Sequence, residues 1–405
     1  MEGRSLTPLF SKSRFLAFRS RDQKSWTRRA DLFLILLAVI GLGLHELTER
    51  TREMKPQPRL EQKMAAASRT LRCFELIRQE RLGAPASQDK ENDPEASGLI
   101  GQEQTLTTTD RGVLEAKLTS VNPNFAAVFV EYFHRAGLRE GDPVAISLTG
   151  SFPALNIAAI CAAEELKLKP LVITSIGASM WGANDPQFTW LDMERLLVER
   201  RLIATRSLAA SLGGSNDRGR GLSPKGRQLL RAAVERNGVT LVSLPTLDEA
   251  VKKRVEVFDT AAAPATVRAY VNIGGGSASV GNQMSADLIK PGVNRTIPQY
   301  NWTQRGVLHH YSGKGVPIVH ILNVESIAAN YGLPLMPERI PPVGQGRIFY
   351  REAYDLRVAV PALLIYLVLC FGVLRARQKA ARAAREIADP VIPGVTQAAG
   401  ERSGG

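Results

Sequence analysis

Three residues of this chain have the type and setting that catalysis needs, and each has a plainer alternative. Ser151 lies in ISLTGSFP, between an expected strand and an expected helix, where a nucleophilic serine can sit on a sharp turn. Its frame, Gly150-Ser151-Phe152, is not GxSxG, and a helix-capping serine would look the same. Asp185 ends the long loop ITSIGASMWGANDP and is a candidate acid or base, although Asp before Pro also builds turns. His320, inside the apolar string PIVHIL, is a candidate base that competes with a hydrogen-bonded core role. No Ser/His/Asp frame follows from these three, so whether the protein is an enzyme stays open.

Binding groups are more numerous. Gly150 and Ser151 form one loop, Ser179, Asn184 and Asp185 a second, Gly213, Gly214, Asp217 and Arg218 a third, and Gly274, Gly275, Gly276 and Ser277 a fourth. Each follows an expected strand. In an open parallel sheet such loops meet at the carboxyl edge, where ligands bind. Glycines allow close backbone approach, and helix N-termini favour anions. Taken singly, each loop is better explained as a tight turn, and only the set points to a shared site. The GGGSAS string is not GxGxxG, because Ser279 stands where the third glycine belongs, and no GxxxxGK[ST] occurs, so no nucleotide cofactor is expected. Cys73, Cys161 and Cys370 form no CxxC pair and have no His at ligand spacing, so no metal is expected.

The elements that would position these loops alternate. Helical patterns at 122–137, 153–168, 189–201, 223–237, 246–260 and 324–331 separate short apolar runs at 143–148, 170–175, 207–211, 239–243, 267–273 and 317–322. Asn122 and Ser223 with the following prolines, and Gly137, supply start and stop signals. This is an α/β pattern: a mostly parallel sheet with flanking helices.

Charge places that domain. The chain has 405 residues, 44% hydrophobic and 22% charged, with 52 Lys+Arg against 39 Asp+Glu. The excess gathers at the ends, with eight basic and two acidic residues in 1–30, and six and three in 375–405. A nucleic-acid binder would carry its basic residues on the folded domain, so no nucleic-acid partner is expected. Beside each tail lies an apolar run, Leu32–Leu44 and Val358–Leu374. The positive-inside rule puts both tails in the cytoplasm. The expected order is a basic cytoplasmic tail (1–30), a signal-anchor span (31–47), a stalk helix and polar linker (48–98), an extracytoplasmic α/β domain (99–355), a second span (356–374) and a basic cytoplasmic tail (375–405). The expected location is the cytoplasmic (inner) membrane, with membrane lipids as partners.

The strings TSVNPNFAAV, GSFPALNIA, GASMWGANDPQFTWLDMERLL, SLAASLGGSNDRGRGLS and YVNIGGGSASVG occur in that order. With them the chain resembles the poly-gamma-glutamate system protein family from about Thr119 to the PIVHILNV segment. The resemblance implies a membrane anchor and partnership with the machinery that makes or exports poly-gamma-glutamate, and with that polyanionic polymer. It implies no catalytic residue. Three roles remain open: an accessory protein, a hydrolase or transferase of gamma-glutamyl amides, and a small-molecule receptor.

Overall fold

The structure, a computed structural model, describes residues 12–82, 89–298 and 303–388, without the side chains of 12–30, 283, 285 and 383–388. The outermost parts of both basic tails and residues 83–88 of the polar stretch lie outside the described residues. The chain divides into two compact units, one of residues 56–351 and one built from both ends, 1–55 and 352–405.

The unit of the chain ends holds helix α1 (Lys12–Arg50), strand β1 (Glu53–Pro56), strand β10 (Tyr350–Ala353) and helix α13 (Leu356–Ala388). Asp31–Arg50 of α1 and Leu356–Arg382 of α13 are long and apolar enough to cross a membrane. Both present large bare side chains, among them Leu32, Phe33 and Leu42 on α1 and Leu363, Val368 and Phe371 on α13. Water does not favour such a surface, and lipid would cover it. The two helices pack on one another, and a Cβ on Gly41 would come within 2.9 Å of the Tyr366 ring.

In chain order the larger unit runs α2 (Leu60–Arg81), β2 (Thr108–Asp110), α3 (Leu114–Ser120), α4 (Phe125–Arg135), β3 (Pro143–Thr149), α5 (Pro153–Glu165), β4 (Lys169–Ser175) and β5 (Ala178–Ser179). It continues with α6 (Trp190–Glu199), β6 (Ser207–Ser211), α7 (Pro224–Arg236), α8 (Leu247–Ala262), β7 (Ala269–Ile273), α9 (Ser277–Val280) and α10 (Gln283–Leu288). Strand β8 (Gly292–Asn294), α11 (Val307–Gly313), β9 (Ile318–Ile321) and α12 (Val324–Tyr331) close it. Six strands form the central sheet in the order β6-β4-β3-β7-β9-β8, parallel except for β8 at one edge. The central β3 is buried along its whole length, as a strand covered on both faces must be. Strand β5 pairs with β2 outside this sheet.

Three departures from the sequence pattern have physical causes. The stretch at 60–81, read as a stalk outside the α/β domain, is α2, and its Ala66, Phe74 and Ile77 are buried in the same core as α4 and α5. The compact unit therefore begins near Pro56 rather than at residue 99. The linker's second half is folded too, since Asp93 is buried and accepts bonds from Ser97 Oγ (3.0 Å) and the Gly98 amide (3.2 Å). The run at 239–243 is no strand: beside the edge strand β6 it makes a single bridge, Leu241 to Ala210.

Among the charged groups inside the sheet-helix interface is Glu194 of α6, whose carboxylate accepts Ser207 N–H (2.8 Å) and Ser207 Oγ–H (2.7 Å) at the start of β6. Burial pushes its pKa from 4.5 up to about 7. Between those values the folded protein holds a proton that the unfolded chain has lost, so this group's contribution to stability falls as pH rises through that window. Relative to wild type, Glu194→Gln should therefore gain up to about 3 kcal/mol between pH 4 and pH 8. Unfolding of the full chain in detergent across that range checks this, and a pH-independent difference would contradict it.

Candidate functional site

Strand order dictates where a ligand can enter. From β3 the chain moves to β4 and then β6 on one side, whereas β7 leads to β9 on the other. The switch point is therefore the crevice beyond the carboxyl ends of β3 and β7. Thr149 narrows it by donating from Oγ1 to Ile273 O (3.3 Å). Gly274, at φ 88°, lies so close that a Cβ there would be 2.5 Å from Thr149 Oγ1, so only glycine fits.

Beside this crevice the loops after β3 and β4 lock together. The Gly150 N–H donates to Ser175 O (3.0 Å), and Ala183 N–H donates to Gly150 O (2.7 Å). A Cβ on Gly150 would meet Ile176 O at 2.5 Å, so the approach needs a glycine. Ser151 does not cap α5, whose N-cap is Phe152; its Oγ accepts the Ser179 amide at 3.0 Å. Beneath both serines lies Lys117 of α3, a helix absent from the sequence reading. Its Nζ donates to Ser151 O and to Ser179 Oγ (2.8 Å), and lies 3.9 Å from the centre of the Phe152 ring. Lys117 is buried, Ser151 and Ser179 only partly so. Burial alone lowers the lysine pKa from 10.5 to about 7.

A second cluster supports the next two loops. Asp217 and Arg254 of α8 form a buried pair, with Nη2 at 2.8 Å and Nε at 3.2 Å from Oδ2. Ser175 Oγ (3.0 Å) and Ser211 Oγ (2.6 Å) donate to Asp217 Oδ1, and both accept from Arg254 Nη2. The Asp217 amide donates to Ser277 Oγ (3.1 Å), which donates to Gly214 O (3.0 Å). Gly213 and Gly214 take positive φ freely, whereas Asn216 and Asp217 take it at some cost and are held from below. Gly276 connects the two clusters: a Cβ there would lie 3.2 Å from Thr149 Cγ2 and 3.6 Å from Ser175 Oγ. Gly275 is exposed on the same rim, and Arg218 is exposed with Nη1 donating to Pro245 O (2.9 Å).

Other residues named from sequence serve the framework. Asn184 is buried, bonded through Nδ2 and Oδ1 to Gln102 and through its carbonyl to Thr105 and Thr107. Asp185 accepts the Gln187 amide (2.9 Å), which makes the turn, and pairs with Arg81 of α2 (2.7 Å). His320 is fully buried on β9, in register with Asn272 of β7, which in turn faces Ser147 of β3. Its Nε2–H donates to Ala286 O (3.1 Å) and its Nδ1 accepts from Asn272 Nδ2 (3.1 Å). Burial lowers its pKa to about 4, so it stays neutral. Two strand spacings, roughly 10 Å, separate it from β3, so it is no base for Ser151.

Among the described residues no three His, Cys, Asp or Glu side chains gather where a metal could be held. A surface cavity of about 560 Å³, lined by Arg69, Arg72, Glu164 and Arg201, lies near the amino end of β6, away from the rim. No model of a known protein family, no curated protein and no solved structure matches the chain.

The buried pair sets a testable cost. Asn tolerates the left-handed backbone of position 217, so Asp217→Asn removes charge without adding strain there. Stability should fall by about 3–5 kcal/mol because Arg254 is left uncompensated, and adding Arg254→Met should recover part of the loss. Chemical unfolding of the three variants measures this; an additive double variant would mean that the pair is not coupled.

Proposed function

We propose that the chain is a membrane-anchored accessory protein of poly-gamma-glutamate synthesis or export, with its α/β unit outside the cytoplasmic membrane and a rim that receives a carboxylate-bearing ligand. The observation that carries the membrane reading is the pair of apolar helices flanking one α/β unit, each followed outward in sequence by a basic run. The polymer enters through the resemblance alone, four of whose five strings include the loops of the rim. Gly-rich turns and the exposed Arg218 and Arg220 suit repeated carboxylates.

Reporter fusions after residues 20, 200 and 395 should give cytoplasmic, external and cytoplasmic signals, and a cytoplasmic signal at 200 would end the topology. Oligo-gamma-glutamate should bind the full chain in detergent, and the affinity should drop severalfold as salt rises, because exposed charges are screened beyond about 10 Å at 0.1 M. Binding of free glutamate without binding of the oligomer would favour a small-molecule receptor instead.

A further inference from the structure

We infer that Ser179 is an acyl-accepting nucleophile with Lys117 as its general base, giving the rim an acyl-transfer activity on carboxylic amides or esters. The inference rests on the contacts of Lys117 and does not depend on which polymer or partner the protein serves.

The geometry divides the work between two serines. Ser179 Oγ lies 2.8 Å from Lys117 Nζ, within reach of direct proton transfer. Lys117 Nζ is the hydrogen-bond partner of Ser179 Oγ among the described residues, so the hydroxyl proton is not committed to another protein group there. Ser151 supplies the orientation: its carbonyl holds one N–H of Lys117, and its Oγ holds the amide of Ser179. A neutral amine has two N–H bonds and one lone pair. With one N–H on Ser151 O, the lone pair can face Ser179 Oγ, which then donates to it.

That neutral state follows from the surroundings. The Phe152 ring and two neutral oxygens contact Nζ. The ionisable groups of adjoining segments include Asp110, Arg111, Glu115, Glu325, Glu338 and Arg339. Glu325 is partly exposed and the others are exposed, and none contributes to the lowered pKa. An ammonium buried without an anion is costly, and a lysine escapes that cost by losing its proton.

The reaction balances with these groups and water. Lys117 Nζ takes the Ser179 proton as Oγ attacks the carbonyl carbon and forms the new C–O bond. The C–N or C–O bond to the leaving group breaks, and the leaving group takes the proton from Lys117. Water, or a second amine, then attacks the acyl-serine ester, passing its proton to Nζ. The ester bond breaks, and the proton returns to Ser179.

The test uses a fluorophosphonate probe on the full chain in detergent. It forms an Oγ–P bond with an activated serine and releases fluoride. Peptide mass spectrometry should place the adduct on Ser179. Its rate should rise about tenfold per pH unit up to about pH 7 and then level, as Lys117 becomes neutral. Ser179→Ala and Lys117→Met should each lower labelling by about 100-fold or more. Lys117→Arg separates chemistry from support, since Arg can donate the same bonds but cannot take a proton. A folded Lys117→Arg protein that labels normally would overturn the inference. So would an adduct on Ser151, or no adduct on folded wild type. Should the lysine variants fail to fold, the wild-type profile decides, and a rate that does not change between pH 5 and pH 8 refutes the role of Lys117.

Discussion

The buried ion pair between Asp217 and Arg254 holds the rim in shape, and the loops above it could not keep their conformation on local preference alone. Both side chains are about 1% exposed, so the pair costs desolvation that its attraction offsets only with good geometry and full hydrogen bonding. That bonding comes from the ends of two neighbouring strands, through Ser175 and Ser211, and the Asp217 amide reaches a third loop at Ser277. One charge pair thus couples β4, β6, α8 and the turn after β7. Its return is positional. It keeps the two non-glycine positive-φ residues, Asn216 and Asp217, in a conformation that L side chains disfavour.

Arg254 and Lys117 are both buried cationic residues, and they solve burial differently. A guanidinium does not lose its proton in a protein, so Arg254 requires Asp217. An amine can lose its proton, so Lys117 can lie against an aromatic ring and two neutral oxygens with no carboxylate. The first arrangement is rigid and fixes structure. The second leaves a nitrogen able to accept a proton next to the hydroxyl of a partly buried serine, and this is why the two clusters on one rim have different chemical prospects.

The alternation of apolar runs with amphipathic helices was enough to read the α/β layering, because the central strands are buried runs and α7, α8 and α12 carry capping side chains. Helix α7, for instance, begins with Ser223 accepting the Gly226 amide at 3.1 Å. The antiparallel β8 was not legible, since three residues, Gly-Val-Asn, carry no period. Arg254 was missed inside what looks like an ordinary basic run, KKR, yet a signal existed: it falls on the buried stripe Leu247, Ala250, Arg254, Phe258, Ala262 of α8. Glu194 and Lys63 lie on the buried faces of α6 and α2 in the same way. A charged residue in register with an apolar face is a buried one that needs a partner. Lys117 gave less warning, because α3 spans only Leu114–Ser120 and has no clear period, and its burial comes entirely from other segments packing over it.

The GxSxG frame failed at Ser151 for a reason that becomes clear from the packing of two loops. In that frame a single strained turn both exposes the serine and directs it toward its base. Here the turn after β3 gives up its own hydroxyl to hold the Ser179 amide, and the hydroxyl that meets the lysine comes from the turn after β4. The exchange requires the two backbones to touch, which Gly150 and Gly182 allow: a Cβ on Gly182 would lie 2.9 Å from both Gly150 O and Ser151 Cα. Features that a one-turn motif keeps within five residues are thus spread from Lys117 to Gly182, and only the parallel pairing of β3 with β4 brings the two turns together.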